Sequence, residues 1–253
     1  VKDDDFWNTN RLEELNKDEK GVYKLLDTLK TVPKFKSYYN IVSILGSGYV
    51  EIDKWNLDIG DVYSTFGFND AEGIRVRAGA RTYFGQNDPW RIEAYTAYGF
   101  SDQKFKHGIS GKWLLDKRSR LIISGGNRSD IEQLGLSLTA TTDVLGRSAA
   151  SSSLFSVGSN DRLTNIDLST FNVEIEPLNN FIVRFGGSLR TLSSALPDAF
   201  NLDYLDPNSP NGISSEIKQF DIATTLVYTP GKRTIGYGVE RRNINDTYST
   251  LFL

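Results

Sequence analysis

Arg75, Arg77 and Arg81 stand at odd positions of Ile74–Tyr83, with Gly79 between them and Ile74, Val76, Ala78, Ala80 and Thr82 at the even ones. In an extended chain, successive side chains point to opposite faces, so three guanidinium groups share one face and an apolar row covers the other. The pattern recurs. Arg91 and Glu93 alternate with Trp90, Ile92, Ala94 and Tyr98, and Arg184 and Arg190 alternate with Phe181, Val183, Phe185 and Leu189. Guanidinium groups gathered inside a narrow enclosure form a hydrogen-bonded ladder that fills it, whereas in a wide one they line a passage attractive to anions. The ladder is the expectation, built of Arg75, Arg77, Arg81, Arg91, Arg184 and Arg190 with Glu93 as counter-ion. Glu72, just before the first arginine, is expected to anchor a loop by pairing with Arg75.

Other chemistry is thinly represented. The single histidine, His107, sits in a strand-like stretch, and no Gly-x-Ser-x-Gly elbow accompanies it. Gly108-Ile109-Ser110-Gly111-Lys112 is too short between its glycines for a phosphate loop. The acidic and amide-rich stretch Asp198–Asn211, with Asp203, Asp206 and Asn208, offers oxygen ligands of the kind calcium takes, but reads first as a solvated loop. There is no cysteine, so thiolate chemistry and disulfides are excluded. We therefore assign no catalytic residue, no metal and no cofactor. A net charge of −3 gives no reason to expect a nucleic-acid partner.

The elements that would hold the arginines are strands of about ten residues with period two. A strand of about 9–11 tilted residues crosses a bilayer while showing lipid only alternate side chains. No apolar run approaches the 18 residues of a transmembrane helix, and mean hydropathy is −0.36. One strand is expected within Trp55–Phe68, followed by Ile74–Gly85, Trp90–Ser101, Phe105–Leu115, Arg120–Arg128, Leu163–Glu176, Phe181–Leu192, Glu216–Thr229 and Arg233–Asn243. The short turns at Gln86–Pro89, Asp116–Ser119, Pro177–Asn180 and Pro230–Lys232 occupy every second connection. The long stretches Ser129–Arg162 and Ser193–Ser215 fall on the other parity, as in outer-membrane barrels.

Upstream, Asn16 to Val32 reads as a helix with a capping box at Asn16 and Glu19 and a stripe of Val22, Leu25, Leu26 and Leu29, stopped by Pro33. Phe6–Leu15 reads as a second short helix, and Tyr38–Gly73 as β-prone. The fold class expected is thus mainly β: an antiparallel transmembrane β-barrel, incomplete at its C-terminus, preceded by a short helical segment. Residues 1–37 form the helical lead-in and 38–253 the barrel. Nine strands is an odd count, so either Tyr38–Glu51 supplies another or the barrel continues past Leu253.

Several strings carry a family resemblance: Phe6-Trp7 with Arg11, Leu15, Glu19 and Tyr23; Gly48-Tyr49; Phe68-Asn69-Asp70-Ala71-Glu72-Gly73-Ile74-Arg75; Gly79-Ala80-Arg81-Thr82; Ala97-Tyr98-Gly99-Phe100; and Asp102 with Lys104-Phe105-Lys106. In this order they resemble an uncharacterised outer-membrane barrel family of the Bacteroidota with an N-terminal carboxypeptidase-regulatory-like domain. The resemblance implies a bacterial outer-membrane location, a longer parent protein, and the lipid bilayer and other envelope proteins as partners. It implies no chemistry. More distantly, Asn69–Arg75 is similar to the loop-and-arginine signature of BamA-like barrels, without its Arg-Gly-aromatic order. The function expected is an outer-membrane barrel with a structural, assembly or transport role. The alternatives are a soluble β-rich ligand-binding module and a barrel-embedded hydrolase.

Overall fold

The structure, a computed structural model, describes residues 32–83, 87–134, 162–245 and 247–253, together with 21, 22, 24, 25, 28 and 29. The expected helix Phe6–Leu15, the capping box at Asn16 and Glu19, and most of the Ser129–Arg162 connection lie outside these residues. Two units divide at Gly48.

In the first unit, residues 21, 22, 24, 25, 28 and 29 are helical, and helix α1 runs over Pro33–Ser47. Pro33 therefore starts a helix after the extended Val32 rather than only ending one. At the first helical position a missing N–H costs nothing and the ring presets φ. Gly48 closes α1 in the left-handed conformation, its N–H bonding Ile44 O at 2.7 Å. Tyr38–Ser47, expected to be β-prone and a candidate strand, is helical between these two caps, with Gly46 taken up in its last turn. The expected boundary at residue 37 falls inside this helix. Its stripe of Tyr38, Ile41, Val42 and Leu45 is exposed.

The second unit is an antiparallel sheet whose ladder runs β1 (Tyr49–Ile52), β2 (Leu57–Gly60), β4 (Gly73–Thr82), β5 (Trp90–Gly99), β6 (Phe105–Asp116), β7 (Leu121–Gln133), β8 (Leu163–Leu178), β9 (Phe181–Ser194), β12 (Glu216–Tyr228) and β15 (Leu251–Phe252). Strand β3 (Phe66–Asn69) also pairs β4. Among the described residues, no pairing joins the first strand of the ladder to the last. The one strand expected in Trp55–Phe68 is thus two pieces, β2 and β3, laid end to end along one edge of β4. Between them Asp61 caps a 3-10 turn, its Oδ1 accepting from Tyr63 N–H at 3.0 Å. Gly79 of β4 faces this break. A Cβ there would stand 2.6 Å from Gly60 O.

The expected strand Arg233–Asn243 is replaced by a strap. Only Thr234–Ile235 (β13) and Arg242–Asn243 (β14) pair, with each other, and Leu251–Phe252 takes the place beside β12. The run Glu240-Arg241-Arg242 breaks the alternation, since any register puts a charge on the apolar face. The loop Ser193–Ser215 holds a small hairpin of β10 (Tyr204–Leu205) and β11 (Ile213–Ser214). Asp206, offered above as an oxygen ligand, instead accepts the N–H of Asn208 at 2.9 Å.

The two faces of the sheet differ in kind. Ile92, Ile109, Trp113, Phe171, Phe185, Leu189, Phe220 and Ile222 lie on the outer face, each about half exposed, while Arg75, Arg77, Tyr95, Lys106, Arg128 and Asp130 lie buried on the inner one. The inner face is concave. Strands β4 and β7 are three spacings apart, about 14 Å on a flat sheet; Arg75 and Asp130 nevertheless bond at 2.6 Å.

The outer apolar band crosses the ladder on a slant. On β5 and β6 it starts at the pair Trp90–Trp113 and ends at Tyr98–Phe105, whose rings are 4.8 Å apart. On β9 and β12 it starts at Phe181–Tyr228 and ends at Leu189–Phe220. The rung through Trp90 and Trp113 continues through Ile123 and Val173 to Phe185, four residues above Phe181. The rung through Leu189 continues through Ser169, Asn127 and Ile109 to Ala94, four residues below Tyr98. Between β5–β6 and β9–β12 both edges of the band therefore shift by the same four residues, while on β7 and β8 between them the outward Asn127, Ser129 and Ser169 are polar. Beyond its upper edge the outward positions Thr191, Lys218, Ser193 and Glu216 are polar.

Candidate functional site

The candidate site is the charge lattice on the concave face. It begins in the turn between β3 and β4, where Asn69 organises the backbone: its Oδ1 accepts from Ala71 N–H at 3.1 Å and Glu72 N–H at 2.8 Å. Its amide nitrogen then donates to Glu72 Oε2 at 2.5 Å. So held, the Glu72 carboxylate turns inward, fully buried, and accepts from Arg75 at 3.1 Å. Lys106 Nζ of β6 reaches it at 2.8 Å and also pairs with Asp102.

Arg75 passes the connection on. It donates to Asp130 of β7 through both terminal nitrogens, at 2.6 and 3.0 Å. Tyr95 Oη donates to the same carboxylate at 2.5 Å, and the Arg77 guanidinium lies 3.7 Å above the Tyr95 ring. Next to them Arg128 bonds Glu132 at 2.6 Å. A planar guanidinium suits this work because its fork meets a carboxylate with two parallel bonds.

The other expected residues occupy the rest of the concave face. Arg81 bonds Asp58 at 3.0 Å and covers the Tyr49 ring at 3.6 Å, while Tyr49 Oη lies 3.5 Å from Glu93. Arg184 bonds Glu174 at 2.9 Å. Arg190 bonds Gln219 at 3.3 Å and stands 4.0 Å from Asp221. Arg91 pairs with Glu240 of the strap. Glu72, Arg75 and Arg77 are thus brought together, whereas Arg81 with Glu93 and Arg91 form a second group about Tyr49 and Tyr83, and Arg184 with Arg190 a third. Asp130, Tyr95, Lys106 and Arg128 were absent from the expectation. Part of the signal was present: Arg128, Asp130 and Glu132 alternate, but Arg128 ends an expected strand and the other two fall in a stretch assigned to the start of a loop.

His107 faces outward, with a ring nitrogen 3.2 Å from Asn127 Oδ1. Among the described residues no group of three or more acidic, histidine or cysteine side chains is placed to hold a metal ion. The lattice can therefore fix curvature, fill the interior and present guanidinium groups.

Residues 43–138 match the C-terminal domain model of a family of unknown function (DUF5686). The match takes in Glu72, Arg75, Arg77, Tyr95, Lys106, Arg128 and Asp130, so the densest part of the lattice lies wholly within the DUF5686 stretch, and Arg184 and Arg190 lie outside it. No curated protein and no solved structure matches the chain. No helix of the described residues is long and apolar enough to cross a membrane, which says nothing of crossing by strands.

Proposed function

We propose that the chain is part of an outer-membrane β-barrel of the bacterial envelope, with its apolar face in lipid, its arginine lattice in the lumen, and a structural, assembly or transport role. The observation that carries this reading is the slanted band. Each edge moves four residues, about 13 Å, across four strand spacings of about 19 Å, which corresponds to a tilt near 35° against a flat slab. Strands of membrane barrels tilt by about 35–45°. The band is nine residues deep on β5, β6, β9 and β12 alike, which is about 27 Å of strand, or about 22 Å along the normal after tilting. That is close to the aromatic-edged apolar belt of about 25 Å found on such barrels. A β-layer packed on this face in water would have no reason to keep both edges parallel and oblique to the ladder. The resemblance to Bacteroidota outer-membrane proteins supports the same location.

Reconstitution tests the reading. The full chain should float with phospholipid vesicles and show heat-modifiable migration, and Phe185→Asp, at the centre of the band, should abolish both. A chain that stays monodisperse without detergent and ignores vesicles is the soluble module instead.

A further inference from the structure

The end of the concave face opposite the Glu72 turn is occupied by the strap between β13 and β14, and it is held there as a ligand is held. Val239 N–H donates to Asp88 O at 2.8 Å, and Tyr237 N–H to Asn87 Oδ1 at 2.8 Å. Arg120 donates to two consecutive carbonyls of the strap, Gly238 O at 3.1 Å and Val239 O at 3.3 Å. The Val239 side chain is buried against Leu114 and Ile122, which face inward from β6 and β7. Gly238 lies so close to the β4–β5 connection that a Cβ would stand 2.7 Å from Asp88 N and O. Beyond it, Glu240 pairs with Arg91, and Arg241 with Glu176.

These contacts are made to four strands, β5, β6, β7 and β8, and to the β4–β5 and β6–β7 connections, yet the strap adds no strand to the ladder. Its own hairpin has two rungs. Its one buried apolar anchor is a valine, and Glu240 is 48% exposed. The strap is thus held by hydrogen bonds and partly exposed ion pairs rather than by a place in the ladder.

A polar cleft further along the concave face gives removal of the strap a meaning. The inner faces of β8, β9 and β12 enclose a cleft of about 260 Å³ lined by Thr170, Asn172, Arg184, Ser188, Arg190 and Asp221. Down β8 this polar face continues through Glu174 to Glu176, where Arg241 of the strap is bound. A second cleft of about 350 Å³ adjoins the strap beside Arg81, Asp88 and Arg91.

We propose that residues 236–241 are a displaceable plug, closing a passage for ions and small hydrophilic solutes along the inner faces of β8, β9 and β12. The inference rests on the membrane-barrel reading above. It adds that the barrel conducts, and that this segment is what stops it.

Single-channel recording from the full chain in planar bilayers tests it, with vesicle flotation run in parallel. Wild type should be near-closed; Gly238→Val, which has no room, and Val239→Asp, which loses its apolar pocket, should each raise conductance at least about fivefold. To separate opening from damage, Asn87→Cys with Tyr237→Cys is added to Val239→Asp, in a chain otherwise free of cysteine. Oxidation should then return conductance to the wild-type level, and reduction should release it. Flotation intact with conductance unchanged in both variants, or an open state that oxidation does not close, overturns the plug alone. Loss of flotation in wild type overturns the membrane reading and the plug with it.

Discussion

The two ends of the concave face are closed by different physics. At the Glu72 end, charges with almost no exposure bridge β4, β5, β6 and β7, each carboxylate meeting several donors. At the strap end, the ion pairs are partly exposed, and the chain that makes them belongs to no strand of the ladder. The first end is built from the strands themselves and can be undone only by unfolding the sheet, whereas the second is a tethered segment that can leave while the sheet stays whole. A buried charge is costly to strip of its partner, because the survivor keeps its desolvation penalty; an exposed pair is screened and replaced by water.

The sharpest way to break this contrast is to remove a buried carboxylate. Glu72→Gln leaves Arg75 and Lys106 without one of their anchors, and the expected loss is about 3–5 kcal/mol, read as a lower urea midpoint for unfolding of the detergent-solubilised sheet. A loss equal to that of a strap variant would show that the two ends are alike. Next comes Val239→Ala, which removes two methyl groups from the pocket of Leu114 and Ile122. About 1–2 kcal/mol of strap affinity should go, seen as faster proteolysis within 236–241 with little change in the midpoint.

The smallest effect lies in the turn between β6 and β7, beyond the lower edge of the band. There the Asp116 carboxylate accepts from the Ser119 hydroxyl at 2.5 Å, and from the N–H groups of Ser119 at 2.9 Å and Arg118 at 3.2 Å. These bonds, the hydroxyl's first, hold its pKa below the usual carboxylate value. The stabilisation is present above the unfolded-state value and is lost as pH falls through the lowered one. Ser119→Ala should raise the Asp116 midpoint in an NMR titration toward the ordinary range and, because the lost stabilisation is present near neutrality, lower the unfolding midpoint slightly there; an unchanged titration contradicts the assignment.

How far these regions could be read from residues alone follows the same division. Along β4, β5 and β9, alternation is strict because one face carries arginines and the other does not, and a slip of one residue would exchange them. Glu72 pairs with Arg75 from the turn before β4, where that alternation does not reach. Asp130 was not readable: Asn127-Arg128-Ser129-Asp130 is polar on both faces, because the outward positions Asn127 and Ser129 are themselves polar, and the amphipathic signal fades where the strand continues. The helix α1 was hidden by aromatic and β-branched residues whose strand preference the caps at Pro33 and Gly48 override. The strap was mistaken for a strand because Thr234, Gly236, Gly238 and Glu240 alternate with Ile235, Tyr237 and Val239 until the charged run ends the pattern.

The slant of the apolar band is the claim on which membrane, lumen and plug all depend, and spin-label depth on the reconstituted chain tests it most directly. Single cysteines at Trp90 and Phe185 sit on one rung of the ladder, joined through Trp113, Ile123 and Val173. The tilt places position 185 near the bilayer midplane and position 90 near its edge, so oxygen accessibility should be high and nickel-chelate accessibility low at 185, with the chelate reaching 90. Equal depth at both, or chelate access at 185 matching that of a water-exposed turn, would contradict it.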